Sequence, residues 1–418
     1  MSDVFVVGVG MTCFGPQPQS TVKSLTAHAV QECLADAGAQ PQQVEVAYFS
    51  NTGQGRVEGQ HALRGQIALR PLQIYSIPIV NVENACASGS TALWLAAQAL
   101  SSGAADIALA VGAEKMVYED PVRRERVQQG FNGGMDIETG PAALAALERL
   151  SPNITGVSGE GMRTVFMDIY AAIARAHMER FGTTQRQLAH IASKNHAHAL
   201  HNDRCHYRKA MSVEDVLASR ALRYPLTAAM CSRMSDGAAA ALLCNEAGLR
   251  RLAPSTVPVR VRACELVSAS PRSWDDFEHH AMRRAALKAY ERAGIGPQDV
   301  DVAEVHDAAS FGELFVSELM GFCAIGEGGA FAESGASTLG GRLPINPSGG
   351  LECRGHPIGA SGLGQVFELV TQLRGGAGAR QVQGARIALQ ENGGGFMDVE
   401  EGAVVVSIFE RLTGAARS

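Results

Sequence analysis

The sequence predicts an α/β protein made of two similar halves, each with a central sheet covered by helices, and a separate segment inserted between them. Three observations predict it. Residues 29–49, AVQECLADAGAQPQQVEVAYF, match residues 285–305, AALKAYERAGIGPQDVDVAEV, so that Ala37-Gly38, Pro41, Val44, Val46 and Ala47 fall on Ala293-Gly294, Pro297, Val300, Val302 and Ala303. Further on, Cys86-Ala87-Ser88-Gly89 falls on Gly359-Ala360-Ser361-Gly362, and Ala105-Asp106-Ile107-Ala108-Leu109 on Ala385-Arg386-Ile387-Ala388-Leu389, in the same order. Between the halves, residues 118–230 follow no such pattern and are richer in charge and histidine.

Taken in order, the chain opens on a first strand with a glycine turn, Val4-Phe5-Val6-Val7-Gly8-Val9-Gly10, and has no basic segment of the signal-peptide kind. Each copy of the repeat reads as a helix stopped by glycine, a proline-marked turn and an alternating strand. Residues 74–82 form a β-rich run, residues 83–90 a tight turn and residues 91–100 a buried helix. In the insertion, residues 167–181 and 184–201 are helical in pattern. Residues 235–243 then return as a strand to the first sheet. The expected division is a first core half over residues 1–117 and 231–258, an insertion (loop) domain over 118–230, and a second core half over 259–418.

Composition narrows the function classes. The 418 residues are 46% hydrophobic and 19% charged, as in an ordinary globular protein of two or three domains. A net charge of −6 without a basic run argues against a nucleic-acid partner. No apolar stretch is long enough to span a membrane. Nine cysteines without C-x-x-C pairs suggest reduced thiols and a cytoplasmic setting.

Cys86 is the most informative residue. Its position at the first turn of a helix favours thiolate over thiol, because unpaired N–H groups and the helix dipole meet there. Small residues on both sides leave room for a substrate. In the second half, His306-Asp307 follows the repeated strand, and Gly355-His356-Pro357 belongs to the turn that matches the Cys86 turn. Sites in open α/β sheets form beyond the carboxyl ends of strands, so the repeat places His356 at the same cleft as Cys86. A histidine there can take the thiol proton. Gly393-Gly394-Gly395 follows a strand and lets backbone N–H groups face an oxyanion. His190, His196, His198, His201, Cys205 and His206 have irregular spacing, and no metal site is expected from them.

Asn84-Ala85-Cys86-Ala87-Ser88-Gly89 and Gly355-His356-Pro357-Ile358-Gly359-Ala360-Ser361-Gly362 together resemble the thiolase superfamily over nearly the whole chain. His306-Asp307, Asn195-His196-Ala197-His198 and Ser235-Asp236-Gly237-Ala238-Ala239-Ala240 resemble its sterol-carrier-protein-2 type. The resemblance implies the thiolase fold, with two β-α-β-α-β core repeats and a loop domain. It implies acyl-CoA and CoA as substrate partners, no separate cofactor, and assembly as a homodimer or a dimer of dimers. Cys86 would hold the acyl group and His356 would activate it. His306 and His356 would bind the thioester enolate, and the N–H groups of Cys86 and Gly393 the tetrahedral oxyanion.

The chain departs from that pattern at the second cysteine. Conventional thiolases place it where Glu391 stands, and the sterol-carrier type places it where Ala308 stands. Glu391 is the expected substitute acid/base, with a structural carboxylate turned from the cleft as the alternative. Cys353 is the nearest substitute thiol, with a packing role as its alternative. The leading expectation is therefore an acyl-CoA acyltransferase. The others are a condensing or retro-aldol homologue working with a small zinc/OB-fold partner, and a non-catalytic acyl-CoA or lipid-binding subunit.

Overall fold

Apolar runs without alternation, such as Ile107–Glu114 and Gly237–Asn245, form strands buried along their whole length. Helices cover both faces, so no strand face needs to be polar. The computed structural model describes residues 2–160, 163–252, 254 and 256–412. Its strands are β1 (Val4–Met11), β2 (Val46–Ser50), β3 (Ile79–Val82), β4 (Ile107–Glu114), β5 (Gly237–Asn245), β6 (Val259–Ser268), β7 (Val302–Glu304), β8 (Ile387–Gly394) and β9 (Ala403–Arg411). They lie in the order β3-β2-β4-β5-β1-β6-β9-β8-β7.

The duplication is visible in strand pairing. In the first half β2 runs parallel to β4, and β5 is antiparallel to both β4 and β1. In the second half β7 runs parallel to β8, and β9 is antiparallel to both β8 and β6. Ile345 bridges Ala303 in parallel, the place that β3 takes beside β2. Val4–Val6 of β1 pairs with Val259–Val261 of β6, so the central sheets of the two halves join into one.

Seven helices frame the site: α1 (Val22–Ala37), α2 (Ser88–Ser101), α3 (Val165–Phe181), α4 (Gln185–Ala199), α5 (Ala281–Ala293), α6 (Ser310–Leu319) and α7 (Ser361–Leu373). Gly38 and Gly294 end α1 and α5 in the left-handed conformation, as the repeat predicts. α1 packs its Leu25, Val30 and Leu34 on the first half, and α5 packs Ala285 and Ala289 on the second. Between them α2 and α7 share one core, with Leu93 and Leu100 joining Leu363 and Leu369. Truncating Leu93 or Leu363 to alanine would cost about 2–5 kcal/mol. This pairing brings the turns that open α2 and α7 together.

The inserted segment leaves β4 and returns to its neighbour β5, as expected from residues 235–243. Its helices, however, pack on the second half: Ile169, Ile173, Leu188 and Ile191 join Phe311 and Phe315 of α6. It therefore roofs the region between the two turns.

Candidate active site

β3 ends at Val82, and after five intervening residues α2 begins at Ser88. Ser88 fixes the turn: its Oγ accepts the Asn84 N–H at 2.8 Å and donates to Ala85 O at 2.6 Å. Ala85 is held at φ 48°, a conformation that costs a residue with a side chain on the order of 1–3 kcal/mol. A Cβ on Gly394 would collide with Asn84 O and Ala87 N, so only glycine lets the end of β8 lie against this turn. The result is Cys86 buried at the start of α2, with its own N–H and that of Gly395 directed at Sγ.

The helix terminus does not win the contest over the thiol. Burial, reinforced by Glu83 and Glu114, pushes Cys86 up to about 12, so the resting group is a thiol. Its partner is His356, whose Nε2 lies 3.2 Å from Sγ. Ser361 decides which imidazole nitrogen carries the proton. The single hydroxyl hydrogen of Ser361 goes to Pro357 O at 3.0 Å, so the 2.7 Å bond to His356 Nδ1 is donated by the ring. Nε2 is then an open lone pair facing the thiol. Burial holds His356 well below the usual imidazole range, with His306 and Arg354 adding to it. Thiol and imidazole thus form a neutral pair poised for transfer.

His306 completes the group, its ring centroid 5.3 Å from that of His356. A buried chain of donors sets its tautomer. Gln390 Nε2 donates to Ser90 Oγ at 2.9 Å, Ser90 donates to Asn392 Oδ1 at 2.7 Å, and Asn392 Nδ2 donates to His306 Nδ1 at 3.0 Å. His306 therefore presents Nε2–H as a donor. Burial, with Arg354, pushes it down to about 4, so it is neutral. The donor atoms of Cys86, His306 and His356 lie within 4.8 Å of one another, close enough also for a metal to bridge. Asp307 accepts the Leu351 N–H at 2.7 Å and the Asn195 amide at 3.1 Å, which ties α4 to both histidine segments.

Comparison with known proteins identifies the family. The family model "Thiolase, N-terminal domain" matches residues 4–214, and "Thiolase C-terminal domain-like" matches residues 266–408. The chain belongs to the thiolase family. It is 38% identical to bovine (Bos taurus) sterol carrier protein 2 over 97% of this chain and 72% of that protein. It is 36% identical to an acetyl-CoA acetyltransferase of Methanothermobacter thermautotrophicus, over 98% of this chain and all of that one. A solved structure titled "Ltp2-ChsH2(DUF35) aldolase" superposes with a TM-score of 0.76 at 22% identity, covering 97% of each chain, a likeness of fold.

The thiolase cleft beside Cys86 is a cavity of about 220 Å³ whose wall includes His306, His356, Tyr170, Gly393 and Glu401. A second cavity of about 330 Å³ opens on the other side of Cys86, and Phe131 and Phe166 stand between the two. Not every expected residue faces this space. Glu391 sits behind the wall: its Oε2 accepts the His306 N–H at 3.0 Å, and its Oε1 is buried without a partner. It is the alternative foreseen for it, a carboxylate turned away, since β8 points it toward the His306 backbone. Gly393 lines the cleft, but the N–H that joins that of Cys86 at the sulphur belongs to Gly395. Cys353 packs with Ala199 and Cys205 in a small apolar cluster.

Tyr170, Cys231 and Glu401 stand on the cleft wall without any sequence signal. Cys231 lies opposite Ala309, beside the vacant cysteine position at Ala308. This bridge between segments distant in sequence places it there. The histidines of the insertion serve separate structural bonds: His196 to Lys209 O, His198 to Asn346 O and His206 to Ser235 Oγ. Among the described residues, no helix is long and apolar enough to cross a membrane.

Proposed function

We propose that this thiolase-family chain is an acyl-CoA acyltransferase, of the 3-ketoacyl-CoA thiolase or acetyl-CoA acetyltransferase kind, that carries the acyl group on Cys86. The observation behind this reading is the 3.2 Å Sγ–Nε2 bond, with Ser361 holding the proton on the far nitrogen of His356. When a thioester or ketone carbonyl docks, the thiol proton passes to Nε2 and Sγ attacks the carbonyl carbon. The N–H of Cys86, with those of the Gly393-Gly394-Gly395 run that lines the cleft, would receive the oxyanion that forms, and His306 Nε2–H the enolate oxygen of the leaving thioester. Ping-pong transfer needs the acyl group to stay while the thiol changes. Two cavities meeting at Cys86 suit that need. The first carries Arg163, Arg220 and Arg233 on its wall, suited to coenzyme A phosphates.

Assembly as at least a dimer belongs to the same reading. β3 is a free sheet edge, and Leu63, Tyr75 and Val80 expose apolar side chains near it. All nine cysteines are free, in keeping with a reducing, cytoplasmic setting. Intact-mass measurement after incubation with acetyl-CoA tests the acyl-enzyme: an acetyl adduct is expected, and none with any acyl-CoA would favour a binding subunit. A second reading, a condensing or retro-aldol homologue with a separate OB-fold partner, is favoured by the lack of a thiol at both Ala308 and Glu391. No cleavage of any member of a 3-ketoacyl-CoA panel, with an adduct still forming, would select it.

A further inference from the structure

Glu401 stands just before β9, is 8% exposed, and lines the cavity that holds Cys86, His306 and His356. Its stem packs against Gly393, where a Cβ would lie 2.9 Å from Glu401 Cγ. Oε2 is buried and has no hydrogen-bond partner. A buried carboxylate ordinarily has a cation beside it. Here Arg272 is bound to the neighbouring Glu400 at 2.8 Å. The ring nitrogen facing Glu401 is His280 Nε2 at 3.8 Å, and burial holds that imidazole well below its usual range, so it is uncharged. A carboxyl group kept on the cleft with no cation bonded to it, only the charge of the Glu400-bound Arg272 nearby, has the marks of a proton-transfer group.

Two other groups on the same wall compete for that role. Burial pushes the Tyr170 phenol and the Cys231 thiol well above their usual ranges, so both stay protonated near neutrality. A group that gives a proton to carbon and takes one from a thiol within one cycle needs both its forms near pH 7. Glu401 meets that condition: burial, with Glu400, pushes it up to about 7.

We propose that Glu401 is the acid/base of the cleft, taking the role that the cysteines missing at Ala308 and Glu391 would otherwise fill. The inference rests on the acyl-enzyme reading of Cys86. In thiolysis, Sγ adds to the C3 carbonyl of a 3-ketoacyl-CoA, and the adduct collapses with cleavage of the C2–C3 bond. The electron pair of that bond becomes the thioester enolate, and the Glu401 carboxylic acid delivers its proton to C2, releasing acetyl-CoA. The Glu401 carboxylate then takes the thiol proton of incoming coenzyme A. The coenzyme A thiolate attacks the acyl carbon, the C–Sγ bond breaks, and Cys86 regains its proton from His356.

Exchange of the acetyl-CoA methyl protons in D2O reads proton transfer between Glu401 and C2, while the end-point acetyl adduct on Cys86 reads whether the nucleophile still takes the acyl group. Glu401→Gln should still reach the adduct at end point, more slowly because Glu401 also protonates the departing coenzyme A, and lose exchange on the order of 10²-fold or more. Glu401→Asp, which keeps a carboxylate, should retain part of it. No adduct in the wild-type protein would sink the acyl-enzyme reading itself. An adduct with undiminished exchange in Glu401→Gln would overturn Glu401 alone, as would loss of adduct and exchange together, which marks a structural role. Loss of exchange in Tyr170→Phe or Cys231→Ser, with Glu401→Gln unaffected, would transfer the role to that residue.

Discussion

The turn at Cys86 and the turn at His356 are two copies of one device, used differently. Ser88 and Ser361 occupy equivalent places in the repeat, and each donates its hydroxyl proton to a carbonyl of its own turn, Ala85 O or Pro357 O. Each also accepts one hydrogen bond. Ser88 accepts from a backbone N–H, that of Asn84, and so braces the loop that presents the thiol. Ser361 accepts from the His356 ring and so fixes a tautomer. In the first half the serine supports shape; in the second it supports proton chemistry. The two turns share one scaffold and differ at one contact, the donor that each serine accepts from.

The largest break in this comparison is removal of the nucleophile. Cys86→Ala should abolish the acyl adduct and lower thiolysis on the order of 10³-fold or more, measured by intact mass and steady-state rate. Residual turnover near wild type would remove Cys86 from the chemistry. Next comes the tautomer: Ser361→Ala should lower kcat by about 10–100-fold with little change in Tm, as losses behind a reacting group do. Ser88→Ala should do the reverse. It leaves the Asn84 N–H without its acceptor and should cost about 1–2 kcal/mol in a denaturant titration while kcat holds. If both variants behave alike, the functional division between the turns is wrong.

The smallest effect on turnover is expected at Glu391, with Glu391→Gln keeping proton exchange close to wild type. Its signature is in stability instead. Burial, reinforced by Glu401, raises the carboxyl from 4.5 to about 8, so the folded chain keeps a proton that the unfolded chain has lost. That contribution weakens native stability as pH climbs from about 4.5 to about 8 and is constant above. Glutamine does not titrate. The variant should therefore gain on the wild type across that window, by about 1 kcal/mol or more at pH 8, in paired unfolding curves. A difference that stays flat with pH would show that Glu391 is ionised throughout.

Much of the site was legible because its positions are marked twice, by motif and by repeat. Cys86, His306 and His356 each follow a repeated strand or turn, and strand ends in such sheets converge whatever covers them. The charge states were less legible. A helix N-terminus lowers a thiol, yet burial and the charges of Glu83 and Glu114 outweigh it at Cys86. Glu391 was the natural candidate for the missing acid/base because it aligns with the lost cysteine. Its longer side chain instead reaches the His306 N–H, and Glu401, ten residues later, faces the cleft.

By itself the sequence determined the duplicated α/β architecture and the thiolase family, and it singled out Cys86, His306 and His356 as one candidate site. Those follow from local pattern and from its repetition, which survive without coordinates. Only the tertiary structure decided which nitrogen of each histidine carries a proton, that Gly395 rather than Gly393 faces the sulphur, and which carboxylate lines the cleft. The tautomers depend on a partner a few ångströms away in space, five residues away in sequence for Ser361 and His356 and 86 for Asn392 and His306. Ser361 at His356, Asn392 at His306 and the hairpin that turns Glu401 inward are contacts that no periodicity encodes.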